Sequence, residues 1–159
     1  MDKPGLLAVL INYFKQEYHV LERAAMHAYE TATDSENIKE NKYDTRSLMA
    51  SYLAQSQSKR AMELKKTIGL FQGLPPTQYT DDDLIKMGAL ITVEDDQGEI
   101  IYFLGPDGGG ARVTYQDQQV TVVTPGSPLG RALLGKGVGD EVSIGRNFDV
   151  RNLEIIAVR

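Results

Sequence analysis

Two stretches of the chain repeat apolar or small residues in steps of three and four, and a short polar segment separates them. The first stretch contains neither proline nor glycine from Leu6 to about Thr33. Such steps place side chains on one narrow face of a helix, which is typical of a two-stranded coiled coil. The first series is Leu7, Leu10, Phe14, Leu21, Ala24 and Ala28, and the second is Ala50, Ala54, Gln57, Ala61, Leu64, Ile68 and Phe71.

The segment between the two helices determines how they pair. Residues 33–41 are rich in capping and turn residues, and so short a connection favours antiparallel neighbours. Bulky residues begin the first series and end the second, so small residues face each other toward the tip. The sequence therefore predicts a hairpin that is slim at its far end and reaches about 40 Å. Taken alone, the pattern also fits an ordinary dimerisation arm, and by itself favours that interpretation.

After Gly73 the hydrophobic period changes from that of a helix to two, which is typical of strands. The predicted strands are 90–93, 100–104, 112–115, 120–123, 141–144 and 153–158. We expect the first four to form an antiparallel meander, with the glycines at 108–110 in a flexible hairpin loop. Ser127 as cap, Pro128 at the first helical position and Gly135 as stop predict one short helix.

These patterns together predict an α+β protein built from an antiparallel helical hairpin (coiled coil) and a β-domain with one short helix. The hairpin is expected over residues 1–73, with an acidic tip at 34–44. A linker with a short helical turn, opened by Thr80, follows over 74–87. The globular domain is expected over 88–159.

Charge and composition exclude several classes of function. The net charge of −5 argues against binding duplex nucleic acid without sequence preference, because that binding depends on a basic surface. The absence of cysteine excludes disulfides and thiolate metal sites. Ser127 has no histidine in the second half of the chain to act as its base, which excludes a serine hydrolase. No apolar run is long enough for a membrane span or a secretory core, so we expect a cytoplasmic protein without membrane contact.

One segment of the second half resembles a known family. Residues 124–136, with the sequence TPGSPLGRALLGK, and the following VGDEV at 138–142 closely resemble the C-terminal domain of the GreA/GreB transcript-cleavage factors. The strand at 88–93 is also similar to the first globular strand of that family. The resemblance implies an FKBP-like domain that docks on RNA polymerase, with the coiled coil inserted into the secondary channel. The residues expected to bind this partner are Ser127, Pro128, Leu129, Gly130 and Arg131.

The resemblance also implies a chemical role for the tip of the hairpin. In this family an Asp-x-x-Glu-Asn motif brings carboxylates to a magnesium ion that the polymerase holds, and the polymerase then cleaves its own backtracked RNA. Here Glu40 and Asn41 match the motif, whereas Asn37 replaces the aspartate. Glu40 is the expected magnesium ligand in the complex, and Glu36 or Asp44 could supply the missing carboxylate. The protein would then be an accessory factor and not itself an enzyme, with no cofactor of its own.

Two alternatives follow from this comparison. Because an amide oxygen carries no charge, Asn37 raises the possibility of a regulator that occupies the channel without promoting cleavage. A peptidyl-prolyl isomerase is a weaker alternative, since Tyr102, Phe103 and Tyr115 are few and their strand spacing predicts core packing. Whether the protein stimulates cleavage or only occupies the channel, we expect a monomer that contacts nascent RNA only indirectly.

Overall fold

The structure, a computed structural model, describes residues 2–33, 45–146 and 149–159. Two long helices come first, followed by a sheet that is interrupted by one short helix. The elements are α1 (Lys3–Thr33), α2 (Thr45–Gln72), β1 (Leu90–Asp95), β2 (Gly98–Leu104), β3 (Arg112–Tyr115), β4 (Gln118–Val123), α3 (Pro128–Leu133), β5 (Glu141–Arg146) and β6 (Asp149–Val158). The predicted α+β class is confirmed.

The chain divides into two compact units. One unit, here called the hairpin unit, is Asn12–Ile68. The other, here called the sheet unit, combines Met1–Ile11 with Gly69–Arg159. The first residues of α1 and the last residues of α2 therefore belong to the sheet unit. The predicted boundaries at residues 73 and 88 stay predictions.

In the hairpin unit both helices bury small residues toward the tip, as the series predicted. Toward the base Phe14 is buried on α1, whereas Leu64 and Ile68 of the α2 series are half-buried. Among the side chains of this unit that the structure describes, the buried ones are Phe14, Ala25 and Ala28 on α1 and Ala54, Ala61 and Thr67 on α2. Small side chains let the two helix backbones approach closely, so this part of the hairpin can be slim. The side chain of Ala50 lies outside the described residues.

One predicted position on α1 is wrong. Ala24 is exposed, and Ala25 is buried in its place. After Phe14 the half-buried residues are Tyr18 and Leu21, so the steps along the helix are four, three and four. The helical repeat of 3.6 residues permits either order of steps, and Tyr18 takes the position between Phe14 and Leu21 that the predicted series leaves empty.

The sheet has six strands in the order β3-β4-β2-β1-β6-β5. The predicted antiparallel meander is wrong in one respect, because β4 pairs with β2 in parallel. Residues 105–111 carry the chain past the position of β4, and the β3–β4 hairpin then returns beside β2. Gln116 and Asp117 form the turn of that hairpin with positive φ angles of 51° and 60°. The three glycines therefore lie in a crossover and not in a hairpin loop.

A hydrophobic core fills one face of the sheet, between the strands and α3. Ile85, from the segment before β1, is fully buried in this core. The core residues are Ile85, Ala89, Ile91, Val93, Leu104, Val123, Leu133, Val142, Leu153, Ile155 and Val158.

The end of α2 packs on the sheet through an aromatic pair. The ring centroids of Phe71 and Phe103 are 6.2 Å apart, and both side chains are buried. A methyl group on Gly105 would lie 2.9 Å from the ring of Phe71 and 3.0 Å from Val122, so glycine is required for this approach.

The start of α1 contributes a buried ammonium group. Lys3 is only 2% exposed, and its Nζ donates to the backbone oxygens of Thr77 and Arg159, the second at 2.9 Å. The same nitrogen lies 4.5 Å from the ring centroid of Tyr79. Burial lowers the pKa of Lys3 to about 8. This contact joins the first turn of α1 to both ends of the sheet-unit segment that follows α2.

The predicted short helical turn at residues 80–83 is a single hydrogen-bonded turn. The backbone N–H of Thr80 donates to the Asp83 carboxylate at 2.9 Å, and the Asp83 N–H donates to the Thr80 carbonyl at 3.0 Å. Asp81 accepts from the N–H of Val158 at 3.0 Å and pairs with the guanidinium of Arg159. The Val158 hydrogen bond, followed by Arg159, lowers the pKa of Asp81.

Four glutamates lie side by side across the sheet. Glu94 on β1 is directly opposite Glu99 on β2 and Glu154 on β6, and Glu154 is opposite Glu141 on β5. Residues directly opposite each other point to the same face, so these four exposed side chains form a row of like charge. We call it the glutamate row.

Lys3 gives the protein a specific pH dependence of stability. Between pH 8 and 10.5 the unfolded chain still binds a proton that the folded chain has released, so the free energy of unfolding rises with pH in this window. We expect a rise of about 3 kcal/mol at most from this group. Denaturant unfolding across the window measures it. Lys3→Met removes the rise, whereas the matched exposed variant Lys86→Met retains it; equal profiles for both variants would contradict the assignment.

Candidate partner-binding site

The five residues predicted to bind a partner begin the short helix α3. The Ser127 backbone is extended, and its Oγ accepts a hydrogen bond from the Gly130 N–H at 3.0 Å. The same hydroxyl donates to the carbonyl oxygen of Thr124 at 2.8 Å. Pro128 follows at the first helical position, where its missing N–H costs no hydrogen bond. The predicted cap and the predicted helix are both confirmed.

Gly130 is required by a close backbone approach. A methyl group at this position would lie 1.9 Å from the carbonyl oxygen of Thr124 and 2.6 Å from its carbon. No rotation of a side chain can relieve that clash, because the atoms belong to the backbone. Gly130 therefore fixes α3 against the end of β4 and does not offer a side chain to a partner.

The glycines after α3 are explained by local geometry as well. Gly135, with a φ of 78°, ends the helix, and its N–H donates to the Ile85 carbonyl at 2.9 Å. Gly139 has a φ of 86° and donates to the Ile155 carbonyl at 2.8 Å. The Asp140 carboxylate accepts from the Gly137 N–H at 2.9 Å and closes the turn. These positions hold the backbone in shape, so they account for the sequence pattern without a functional role.

An open groove of about 650 Å³ lies beside the start of α3. The three predicted residues Ser127, Pro128 and Leu129 line it, while buried Gly130 and exposed Arg131 do not. Its lining, which we call the α3 groove, is Tyr102, Asp107, Gly109, Gly110, Thr121, Val122, Val123, Thr124, Gly126, Ser127, Pro128, Leu129 and Ile144. The mixture of apolar walls with hydroxyl and carboxylate groups suits a peptide segment better than a charged ligand.

Tyr102 was predicted to pack in the core together with Phe103 and Tyr115. Only Phe103 is fully buried, whereas Tyr102 and Tyr115 are half-buried. Tyr102 lines the α3 groove, and partial burial raises the pKa of its phenol. The alternating pattern of a strand predicts which face of the sheet a side chain occupies. It does not predict how much of that face the rest of the chain covers, so the partial exposure of Tyr102 and Tyr115 could not be foreseen.

Arg131 differs from the rest of the segment because it is exposed. Its guanidinium donates to the Gly126 carbonyl at 2.6 Å, which holds the side chain over the loop before α3. Three large apolar side chains near the same part of the sheet unit are also exposed, and the sequence did not predict this. They are Leu84, Leu134 and Val138. Their exposure gives no signal in the sequence, because each falls in an irregular segment without a hydrophobic period.

The tip residues proposed from the sequence are Glu36, Asn37, Glu40, Asn41 and Asp44, and all five lie outside the described residues. Within the described ranges, no group of three or more histidine, cysteine or acidic side chains is placed to hold a metal ion. Magnesium binding at the tip stays a prediction.

Comparison with known proteins identifies the family. Residues 80–159, which contain α3, the α3 groove and the whole sheet, match the family model for "Transcription elongation factor, GreA/GreB, C-term". The chain belongs to the GreA/GreB family. The match includes residues 124–142, the segment that resembles this family in sequence.

Curated relatives of this GreA/GreB family member are similar over part of their length. The transcription elongation factor GreA of Polaromonas naphthalenivorans is 27% identical over 106 residues, which are 62% of this chain and 60% of that protein. The GreA protein of Brucella canis is 31% identical over 102 residues, or 63% of this chain and 60% of that protein. The chain thus spans about 60% of the length of these relatives.

This GreA/GreB chain is also similar to solved structures of other factors. The GreA factor homolog 1 (Gfh1) of Thermus thermophilus has a TM-score of 0.38 and 17% identity, with 94% of each chain covered. The GreA/GreB factor of Nitrosomonas europaea has a TM-score of 0.35 and 18% identity, covering 70% of this chain and 91% of that one.

Among the described helices, none combines the length and the apolar character that crossing a bilayer requires.

The close approach at Gly130 can be tested by adding one methyl group. Gly130→Ala should lower the free energy of unfolding by about 1–3 kcal/mol, because the new atom overlaps the Thr124 backbone. Gly137→Ala is the control, since its added methyl would meet only Leu84 at 3.6 Å. Thermal or denaturant unfolding of both variants measures the difference. Equal stability of the two variants would show that α3 can shift without cost.

Proposed function

We propose that this protein binds RNA polymerase, inserts its helical hairpin into the secondary channel and stimulates cleavage of backtracked RNA by the polymerase. The observation that carries the proposal is the GreA/GreB family match over residues 80–159. The relatives named above are described as transcription elongation factors. The proposed role is that of an accessory factor whose catalytic scaffold belongs to its partner.

The hairpin suits the proposed insertion for two reasons. Its helices are 31 and 28 residues long, so each extends more than about 40 Å at the rise of an α-helix. Their contact toward the tip uses alanines, which allow a narrow cross-section. A probe of this kind can carry a few side chains into a confined site that a globular surface cannot enter.

The proposed chemistry at the tip needs carboxylates. The window 30–44 holds five acidic and two basic side chains. Magnesium prefers hard anionic oxygen ligands and, when bound beside the RNA, lowers the pKa of a coordinated water. In the proposed complex Glu40 ligates this ion, and Glu36 or Asp44 supplies a second negative charge.

A second candidate function is favoured by Asn37. The family's aspartate at this position would add one formal charge beside the ion, and the amide of Asn37 supplies none. A factor with this tip could occupy the channel and inhibit or modulate the polymerase without promoting hydrolysis. The two candidates share the binding step and differ only in whether the RNA is shortened.

We assign the docking step to the α3 groove and the adjoining Arg131. Pro128 is exposed on the rim, and Leu129 is half-buried in the wall. Ser127 and Gly130 are engaged in shaping the helix, so they contribute through the position of their neighbours. An exposed proline at a helix start is rigid, which lowers the entropy that binding would cost.

Cleavage can be tested on stalled, backtracked complexes with the cognate polymerase. We expect Glu40→Ala to lower the cleavage rate about 10- to 100-fold, because the ion loses a ligand. Binding to the polymerase should be unchanged. Glu17→Ala, an exposed acidic residue on the same helix pair, is the control and should retain full activity. Asn37→Asp should accelerate cleavage by restoring the missing charge.

The same assay separates the two candidates. If RNA is not shortened at saturating wild-type factor, stimulation of cleavage is wrong and the non-cleaving regulator stands. Gain of activity in Asn37→Asp alone would locate the difference at the metal ion. Loss of binding in Glu40→Ala would contradict the separation of tip chemistry from docking.

The docking role of the α3 groove is tested by a charge at its rim. Pro128→Asp should weaken polymerase binding about tenfold, because a carboxylate then enters an apolar contact. Aspartate is tolerated at the first turn of a helix, so the fold is retained. Pro76→Asp, also exposed but outside the groove, is the matched control. Unchanged affinity of Pro128→Asp, measured by competition for the polymerase, would remove the groove from the docking surface.

A further inference from the structure

A cation that the docking contacts named above do not include lies beside the α3 groove. Tyr102 on β2 is directly opposite Thr121 on β4, and Thr121 is directly opposite Arg112 on β3. Residues directly opposite each other point to the same face of a sheet, so these three side chains form a row. Tyr102 and Thr121 line the groove, whereas Arg112 lies one strand farther out and is exposed. We call the three residues the arginine row.

The charge of Arg112 reaches the groove. Partial burial is the largest influence on the pKa of the Tyr102 phenol and raises it, while the positive charge of Arg112 opposes that rise. Arg151 and Asp95 also act on this phenol, in opposite directions, and they form an ion pair with each other. Among the described residues Arg112 has no such ion pair, so its charge is available to a partner.

The two hydroxyls of the arginine row are available as well. In the part of the chain that the structure describes, neither the Tyr102 hydroxyl nor the Thr121 hydroxyl has a hydrogen-bond partner. Asp107 is the acidic residue of the groove lining, and its carboxylate accepts from the Gly108 N–H of its own loop at 2.8 Å. The row therefore presents a guanidinium and two hydroxyls, all of which can donate to an anionic oxygen.

The other side of the groove is apolar. Pro128 and Leu129 come from the start of α3, and Ile144 comes from β5, the strand at the opposite end of the sheet from β3. The α3 groove thus has hydrogen-bond donors toward β3 and hydrocarbon toward β5. A small free anion would contact the donors and leave the apolar side in water. A protein segment with an acidic side chain near an apolar one matches both sides.

We propose that the arginine row binds the side-chain carboxylate of an aspartate or glutamate on the segment of RNA polymerase that docks in the α3 groove. This inference rests on the proposed function and names the chemistry of the docked segment. Docking covers the row, so water screens the charge pair less than it would on an open surface. Because the chain carries a net charge of −5, an acidic segment needs a local cation such as Arg112 to approach it.

Competition between full-length variants for the cognate polymerase tests the charge pair. Arg112→Glu should weaken binding at least about tenfold, because two carboxylates then face each other. Thr121→Val and Tyr102→Phe should each weaken it about three- to tenfold, since each removes one donor. Lys86→Glu, which changes an exposed cation outside the groove, is the matched control and should bind as the wild type does. Circular dichroism should show an unchanged fold for Arg112→Glu, because the Arg112 side chain is exposed.

Crosslinking identifies the carboxylate itself. Arg112→Lys keeps the positive charge and places a primary amine in the arginine row, so this variant should still bind. A carbodiimide joins an amine to a carboxylate as an amide when the two groups are in contact. Mass spectrometry of the complex should then show a bond from position 112 to an aspartate or glutamate of the polymerase. The wild type cannot form this bond, because a guanidinium does not react.

The outcomes separate this inference from the proposed function. If the wild type binds the polymerase and Arg112→Glu binds equally well, the arginine row has no role in docking and the proposed function still stands. Absence of the crosslink from the bound Arg112→Lys variant also overturns the inference alone. A wild type that does not bind the polymerase contradicts the proposed function, and the inference fails with it.

Discussion

Burial of Phe71 against Phe103 is the contact on which the arrangement of the sheet unit depends. Phe71 is the last large residue of α2, and its ring takes space that only a glycine at position 105 leaves open. Lys3 adds a second attachment, from the start of α1 to backbone carbonyls near both ends of the remaining chain. The ends of both long helices are therefore built into the sheet unit, whereas most of their length belongs to the hairpin unit.

The buried lysine is an uncommon way to make such an attachment. An ammonium group loses much hydration on burial, and here backbone oxygens and one aromatic ring replace the water. The contact is directional, since three donors on one nitrogen reach separated acceptors. An apolar residue at the same place would pack well, but it would not specify which backbone groups lie beside it.

Much of this fold could be predicted from the sequence where a physical period or a cap dictates it. The helical series located α1 and α2, and Ser127, Pro128 and Gly135 located α3 with its true cap. The parallel pairing of β2 with β4 could not be predicted, because strand order depends on how the 105–111 crossover folds and not on the strands themselves. The sequence also could not decide between Ala24 and Ala25 as the buried residue, because either of two adjacent alanines fits the helical period. The tip residues Glu36, Glu40 and Asp44 stay predictions.

The candidate docking site shows a division of labour between neighbouring residues. The residues that make the family pattern recognisable, such as Gly130 and Gly139, are required by the conformation of the backbone. The side chains free to meet a partner are Pro128, Leu129 and Arg131, which the same motif carries beside them. The motif therefore marks the proposed docking surface, but its most distinctive residues are not the ones that would touch another protein.

The glutamate row has a consequence for how copies of the sheet unit behave in solution. Neighbouring carboxylates on adjacent strands repel each other, and dissolved cations that gather over them relieve this strain. The stability of the β5–β6–β1–β2 part of the sheet should therefore increase with ionic strength. Two such faces cannot stack without desolvating eight negative groups, so the row acts as a built-in safeguard against face-to-face aggregation.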